Sequence, residues 1–154
     1  VTKTRYNGNL GGLVGADQKC NTAAEAAGLG GTWKAWLSDS NTNAIDRIAE
    51  VGPWYDIVPN ETWVNQKVFN NKAGLATTPL AGIQNNEDGS FNSSGTSVWT
   101  GTSVGGVASA NHCLSWTSTS SIAVYGVAGK VNNGWTSYST NSCSDTASLY
   151  CIEQ

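Results

Sequence analysis

Charged residues are scarce in this sequence. Only 12% of its 154 residues are Asp, Glu, Lys or Arg, and the net charge is −3. The eight Lys and Arg residues stand singly along the chain. Binding to a phosphate or sulfate polymer requires a basic stripe that neutralises it. The sequence therefore disfavours nucleic acid and heparin as partners.

Long apolar runs are also missing. No stretch approaches the roughly 18 consecutive apolar residues that a membrane-spanning helix needs. The opening VTKTRYNG contains neither an initiator methionine nor the apolar segment of a signal peptide. We therefore expect no membrane insertion, and a chain that has been processed or excised.

The four cysteines lack any C-x-x-C pair, and the sequence contains one histidine, so the usual closed zinc site is disfavoured. A disulfide framework is the better interpretation, and it implies export to an extracellular or cell-surface location. Three pairings are possible. If the chain termini meet, the last strand lies beside the first helix, which favours nested bonds: Cys20–Cys151 around Cys113–Cys143.

Aromatic residues are present in the numbers that a folded core needs. Seven Trp and five Tyr accompany abundant Gly, Ser, Thr and Asn. Disordered chains are poor in aromatic residues, and 154 residues normally form one domain. The sequence predicts a single domain over residues 1–154 with a neutral, polar surface.

Hydrophobic patterning predicts an α+β domain. Helical spacing over residues 15–27 places Cys20 on the inner face of a first helix, and a second short helix is expected within residues 41–52. Residues 65–97 show few periodic runs and are expected to form a long loop region. Segments rich in β-branched and aromatic residues follow and predict an antiparallel sheet: residues 97–102, 113–118, 122–131, 134–139 and 149–154.

Four segments resemble a known family. They are GGLVGADQKCNTAAEAAGLGGTWKAWLS, SVWTGT, CLSWTS and LYCIEQ, and they occur in the order found in the endostatin-like domains of the C-type lectin-like superfamily. Similar domains of unknown function occur in secreted bacterial proteins. The resemblance implies a C-type lectin-like fold with two helices, a twisted antiparallel sheet and a long loop region. It also implies the nested disulfides, with Cys20 pinning the first helix to the last strand.

This chain lacks the residues that bind calcium and zinc in the resembled family. Calcium-dependent members carry a Trp-Asn-Asp triplet, whereas this sequence reads Trp135, Thr136 and Ser137 at that place, and no Glu-Pro-Asn triplet precedes Cys113. Endostatin-like members use basic surfaces for heparin and several histidines for zinc. This chain offers Arg5, Arg47 and the single His112. We expect no cofactor and calcium-independent binding.

The segment NNEDGS is a weaker candidate for a calcium site. Asn85, Glu87 and Asp88 supply oxygen ligands, and Gly89 allows a sharp turn. Asn-Asp-Gly clusters are also ordinary turn chemistry, and we favour that interpretation. No metal site is therefore predicted.

A catalytic constellation is not evident. His112 and Cys113 are adjacent, and neighbouring residues of a strand point to opposite faces, so they are not expected to act as a pair. No pair of carboxylates stands out for glycoside hydrolysis. The sequence therefore predicts a protein that is not an enzyme.

Tryptophans are the remaining candidates for a binding site, because an exposed indole stacks on sugars or anchors an interface. By the resemblance, Trp99 and Trp116 lie in sheet strands and Trp33 faces the first helix. The candidates for exposed ligand or interface residues are Trp36, Trp54, Trp63 and Trp135.

These features predict a non-enzymatic extracellular binding or adhesion module. It would display residues 52–97 and the loop around 101–111 to a glycan or a protein. The alternative is a structural subunit that assembles with other copies of itself into a fibre, sheath or surface layer. In that case Trp54 and Trp63 would anchor the contacts between copies.

Overall fold

The computed structural model describes residues 1–57, 65–93 and 95–154. It has a mixed α+β architecture with small sheets and short helices. The helices are α1 (Gly12–Ala26), α2 (Ala44–Arg47), α3 (Lys72–Leu75) and α4 (Cys113–Trp116), with a 3-10 turn at Asn133–Trp135. The strands are β1 (Trp33–Ala35), β2 (Trp54–Tyr55), β3 (Lys67–Phe69), β4 (Ser97–Trp99), β5 (Ile122–Val127), β6 (Ser139–Ser142), β7 (Ser148–Leu149) and β8 (Cys151–Glu153).

Helix α1 is the longest helix of the described chain, and it begins three residues before the predicted position. Gly11 precedes it with a φ of 83°, a left-handed conformation that glycine adopts without steric cost. The buried face consists of Ala16, Cys20 and Ala24, which recur every four residues as a helix packed on one side requires. No helix in the described part of the chain is long and apolar enough to cross a bilayer.

The first and last strands of the described chain form a two-stranded ladder. Strand β1 pairs antiparallel with β8, so that Trp33 lies opposite Glu153 and Ala35 opposite Cys151. The Cys20–Cys151 disulfide then fastens α1 to β8. The second disulfide joins Cys113 to Cys143, which gives the nested pairing that the sequence favours.

The largest sheet has the strand order β6-β5-β4-β7. Its β6–β5 and β5–β4 pairs are antiparallel, as predicted, but β7 runs parallel to β4. The chain reaches β7 from β6 through a turn and then continues into β8, so β7 must cross to the far edge of the sheet. The sheet is consequently mixed, and its β4 and β7 strands are largely buried.

The prediction of a strand at residues 113–118 is wrong. Cys113, Leu114, Ser115 and Trp116 all have positive φ, between 51° and 63°, and form a left-handed helical turn. This conformation costs L-residues roughly 1–2 kcal/mol each, so other contacts must impose it. They include the disulfide of Cys113, the bond from the Ser115 amide to His112 Nδ1, and the bond from the Trp116 indole to the Ser38 carbonyl.

The predicted strand at residues 134–139 also begins too early. Asn133–Trp135 form a 3-10 turn, whose start is capped by the Asn132 side chain through the amide of Gly134. Helix α2 is shorter than its predicted segment. The Asn43 side chain does not cap it, because its oxygen accepts the amide of Ala108 instead.

Among the described residues the core consists of two clusters of buried side chains. One surrounds Trp36, Phe69, Trp135 and Tyr150, and the other surrounds Trp99, Trp116 and both disulfides. The irregular middle of the chain contributes Phe69 and Leu75 to the first cluster. The predicted loop region therefore contains short elements that are packed onto the core.

Candidate binding groove

A groove of about 580 Å³ opens between the β1–β8 ladder and the β2–β3 pair. Pairing of the first and last strands forms one wall, and the chain entering and leaving the middle region forms the other. Its lining combines apolar side chains with aromatic and polar ones. The aromatic members are Trp33, Trp54 and Tyr55, and the polar ones are Asp56, Asn65, Asn85 and Glu153.

Trp33 reaches the groove from the open end of β1. Its indole N–H donates to the carbonyl of Gly30, with 2.8 Å between nitrogen and oxygen, and the side chain is half-buried. The backbone N–H and C=O of Trp33 are both bonded to the side-chain amide of Asn21 in α1, while the residue lies opposite Glu153 of β8. The ring is therefore held in place while part of its surface faces the groove.

Trp54 and Tyr55 belong to the opposite wall. Trp54 is 7% exposed, and its indole N–H donates to the backbone carbonyl of Glu153 at 2.9 Å. Tyr55, the next residue in β2, is 47% exposed. Trp54 thus ties the two walls together, and Tyr55 offers the more accessible ring.

Asp56 is a buried carboxylate at the groove. Its Oδ2 accepts the backbone amides of Gln84 and Asn85 at 3.0 and 3.2 Å and the side-chain amide of Asn85 at 3.0 Å. Burial raises the pKa of Asp56, although these hydrogen bonds oppose the shift. Asp56 therefore serves to join the 83–85 segment to β2.

Glu153 is the exposed carboxylate of the groove. It stands opposite Trp33 in the β1–β8 ladder, and neighbours across a strand pair share a face of the sheet. Its carboxylate lies over Gly31, where an added Cβ would come 2.9 Å from Oε1, and Gly31 has a φ of 82°. Glycine at residue 31 leaves room for the acid.

The prediction that Trp36 and Trp135 are surface aromatics is wrong. Both are fully buried, and their rings stack with centroids 5.2 Å apart. The Trp36 indole N–H donates to Thr136 Oγ1, and the Trp135 indole N–H donates to the carbonyl of Thr77. Both polar atoms are satisfied inside the protein, so these large rings belong to the core.

Trp54 is also mostly buried, but it lines the groove as described above. Trp63, the fourth candidate, lies outside the described residues. The loop around 101–111 is separate from the groove: it contacts α2 through Gly106, whose carbonyl accepts the amide of Ile45.

The weak calcium candidates are used in other contacts. Asn85 directs its amide to Asp56, while the Lys3 ammonium contacts Asp88 Oδ2 at 2.7 Å and the Lys3 amide donates to Glu87. The hydrogen bond from Lys3 lowers the pKa of Asp88. Among the described residues no cluster of three or more His, Cys, Asp or Glu could hold a metal ion.

Thr136, which stands where the resembled family has its calcium motif, has a structural role in this chain. Thr136 is buried, its hydroxyl accepts the indole of Trp36, and its carbonyl accepts the hydroxyl of Thr100. His112 likewise has a structural partner, because its Nδ1 accepts the amide of Ser115. Cys113 is bonded to Cys143 and has no free thiol.

Sequence reasoning missed the residues that give the groove its character: Trp33, Tyr55, Asp56 and Glu153. The resemblance implied that Trp33 faces the first helix, whereas part of its ring lines the groove. The segment PWYD, in which two aromatic residues precede an acid, was the available indication for Tyr55 and Asp56.

The fold and the groove define a disulfide-bonded α+β protein with an aromatic and acidic cleft between the β1–β8 ladder and the β2–β3 pair. Residues 3–134 match the model of the family described as "Protein of unknown function (DUF1554)", and the chain belongs to that family. No curated protein matches the sequence.

Proposed function

We propose that this chain is a non-catalytic carbohydrate-binding module that works at the cell surface or outside the cell, and that its binding site is the groove. The observation that supports this most directly is the composition of the lining. Trp33, Trp54 and Tyr55 face a cleft that also contains carboxylate and amide oxygens. A sugar ring presents apolar C–H faces, which stack on aromatic rings, and hydroxyl groups, which hydrogen-bond to carboxylate and amide oxygens.

The accessible aromatic ring is the expected stacking platform. Tyr55 is 47% exposed, and an aromatic ring buries a large apolar area at a low cost in conformational entropy. Asn65 is exposed beside it and offers both a donor and an acceptor to hydroxyl groups. A cleft of about 580 Å³ accommodates one or two pyranose rings.

The proposal includes a C-type lectin-like scaffold and an exported protein. The nested disulfides and the pairing of the first with the last strand support that scaffold. Two disulfides also support an oxidising compartment. We expect binding without calcium, because the residues at the place of the family's calcium motif are engaged in the core.

Titration calorimetry with glucose, galactose, mannose and N-acetylglucosamine tests the proposal. We expect saturable binding of at least one sugar with a dissociation constant of about 1 mM or below, unchanged by a chelator. Tyr55→Ala should weaken it about tenfold. Tyr138→Ala is the matched control, since Tyr138 is 54% exposed and packs on Tyr125 away from the groove.

Light scattering on the same samples separates this function from self-assembly. A monomer that binds no sugar, or binding that Tyr55→Ala leaves intact, would contradict the proposal. A polymer that forms equally with and without sugar would favour the alternative, a structural subunit.

A further inference from the structure

We infer that the sugar recognised by the groove carries a protonated amine, so that the ligand class is an amino sugar. This inference rests on the proposed function and adds the charge of the ligand. It follows from the charges that line the groove and from the position of Glu153, which lies opposite Trp33 in the β1–β8 ladder and accepts the Trp54 indole at its backbone carbonyl.

The described lining of the groove contains no Lys or Arg side chain, whereas it contains Asp56 and Glu153. Two nearby basic side chains are engaged elsewhere: Lys34 Nζ donates to the carbonyl of Arg47, and Lys3 pairs with Asp88. Lys67, the cross-strand neighbour of Tyr55, is exposed and does not line the groove. The lining thus attracts a cation.

One cationic group does face the groove, the α-amino group of Val1. It donates to the carbonyl of Asn85 at 2.9 Å, and its attraction to Asp56 opposes the lowering of its pKa by burial. This group compensates the buried Asp56. If the α-amino group of Val1 were replaced by an uncharged amide, the lining of the groove would carry a larger net negative charge. In either case Glu153 lacks a cationic partner within the described lining.

Glu153 is placed to bind an ammonium group together with aromatic rings. Trp33 is its direct cross-strand neighbour, and the Trp54 indole is bonded to its backbone carbonyl. A cation beside an indole gains from the negative face of the ring, in addition to its attraction to the carboxylate. The carboxylate remains exposed, so a ligand can reach it without rearrangement of the strands.

The test compares glucosamine with glucose and with N-acetylglucosamine at about pH 6, where an alkylammonium group is protonated. For the wild-type chain we expect glucosamine to bind about threefold to tenfold more tightly than either neutral sugar. Raising the salt concentration should reduce this preference. Butylamine, which has the charge without the ring, should bind at least about tenfold more weakly than glucosamine.

Glu153→Gln keeps the shape of the side chain and removes its charge. In this variant the ratio of the glucosamine and glucose affinities should fall to about one. Glu25→Gln makes the same charge change at an exposed site on α1 and should keep the wild-type ratio. Equal melting temperatures of the two variants would show that both are folded.

Equal binding of glucose and glucosamine by the wild-type chain would overturn the inference and leave the proposed function standing. Equal binding of butylamine and glucosamine would also overturn it, since the groove would then select the ammonium alone. If no sugar binds, charged or neutral, both the inference and the proposed function fail.

Discussion

Arg47 donates to both carboxylate oxygens of Asp17 from one guanidinium nitrogen, Nη2, at distances of 2.6 and 2.7 Å. The other nitrogen, Nη1, donates to the carbonyls of Ala35 and Leu37, and Asp17 accepts the amide of Ala35. The side chain of Arg47 is 8% exposed and that of Asp17 24%. One ion pair therefore joins α1, the strand β1 and α2.

Arg47→Ala is expected to lower the free energy of unfolding by about 3–5 kcal/mol, because it leaves the largely buried Asp17 carboxylate without its cation and the Leu37 carbonyl without its donor. Arg47→Lys should recover part of this loss, since an ammonium cannot reproduce the planar fork. Urea unfolding measures both. Arg5→Ala is the control: Arg5 is exposed and should cost less than about 1 kcal/mol. Equal losses at the two arginines would refute the role given to the ion pair.

Gly126 lies against the backbone of Trp135 and Thr136, which leaves no space for a side chain. An added Cβ would overlap the carbonyl oxygen of Trp135 and lie 3.0 Å from the Cα of Thr136. Both obstacles are backbone atoms beside β5, so they cannot move aside cheaply. We expect Gly126→Ala to destabilise the fold by about 3 kcal/mol or more. Gly30→Ala, where nothing lies within 4 Å, should stay within about 0.5 kcal/mol in the same urea experiment.

Local patterns predicted part of this fold. The apolar spacing of Ala16, Cys20 and Ala24 is a property of one helix, and the sequence shows it directly. The left-handed turn at Cys113–Trp116 was not predictable in this way. Its β-branched and aromatic surroundings favour a strand, while a disulfide and bonds to distant residues such as Ser38 decide the conformation.

The difference between local patterns and contacts of distant residues also explains why the groove residues were not predicted. Whether a tryptophan is buried depends on which distant segments cover it, and Trp36 is covered by Trp135 from another part of the chain. The β1–β8 pair forms one wall of the groove, and pairing between strands so far apart in the sequence leaves no local pattern. The sequence indicated that aromatic side chains form the binding site, but two of the tryptophans it proposed, Trp36 and Trp135, lie in the core.

The stability of the protein should depend on the ionisation of Asp56. Burial raises the pKa of Asp56 in the folded state above its ordinary value of 3.8, so the folded chain holds this proton more tightly than the unfolded chain. The resulting stabilisation is complete below the ordinary value and is lost as the pH rises through the raised folded value. Asp56→Asn removes the titration but keeps an oxygen for the amides of Gln84 and Asn85.

Urea unfolding of the wild type and Asp56→Asn between about pH 3 and pH 7 measures this effect. The free energy of unfolding of the wild type, relative to the variant, should fall as the pH rises across that window. Asp145→Asn, at an exposed position, provides the baseline for a neutralised acid. A difference that grows in favour of the wild type with rising pH would mean that the hydrogen bonds to Asp56 outweigh its burial.

The Tyr150 hydroxyl is buried and has no hydrogen-bond partner among the residues that the structure describes. The side chain is 1% exposed, and both burial and the charge of Asp56 raise its pKa. A buried hydroxyl without a partner loses its hydration and gains nothing in return. Tyr150→Phe keeps the ring that packs on Trp135, with centroids 5.6 Å apart.

We therefore expect Tyr150→Phe to leave the free energy of unfolding unchanged or to raise it by up to about 2 kcal/mol. The comparison is Tyr138→Phe, which removes an exposed hydroxyl and should change the stability by less than about 0.5 kcal/mol. A loss above about 1 kcal/mol at Tyr150 would show that the hydroxyl is satisfied, since breaking a real hydrogen bond has that cost. A buried water beside Asp56 would then be the first partner to seek, because a hydroxyl and a carboxylate together can hold one.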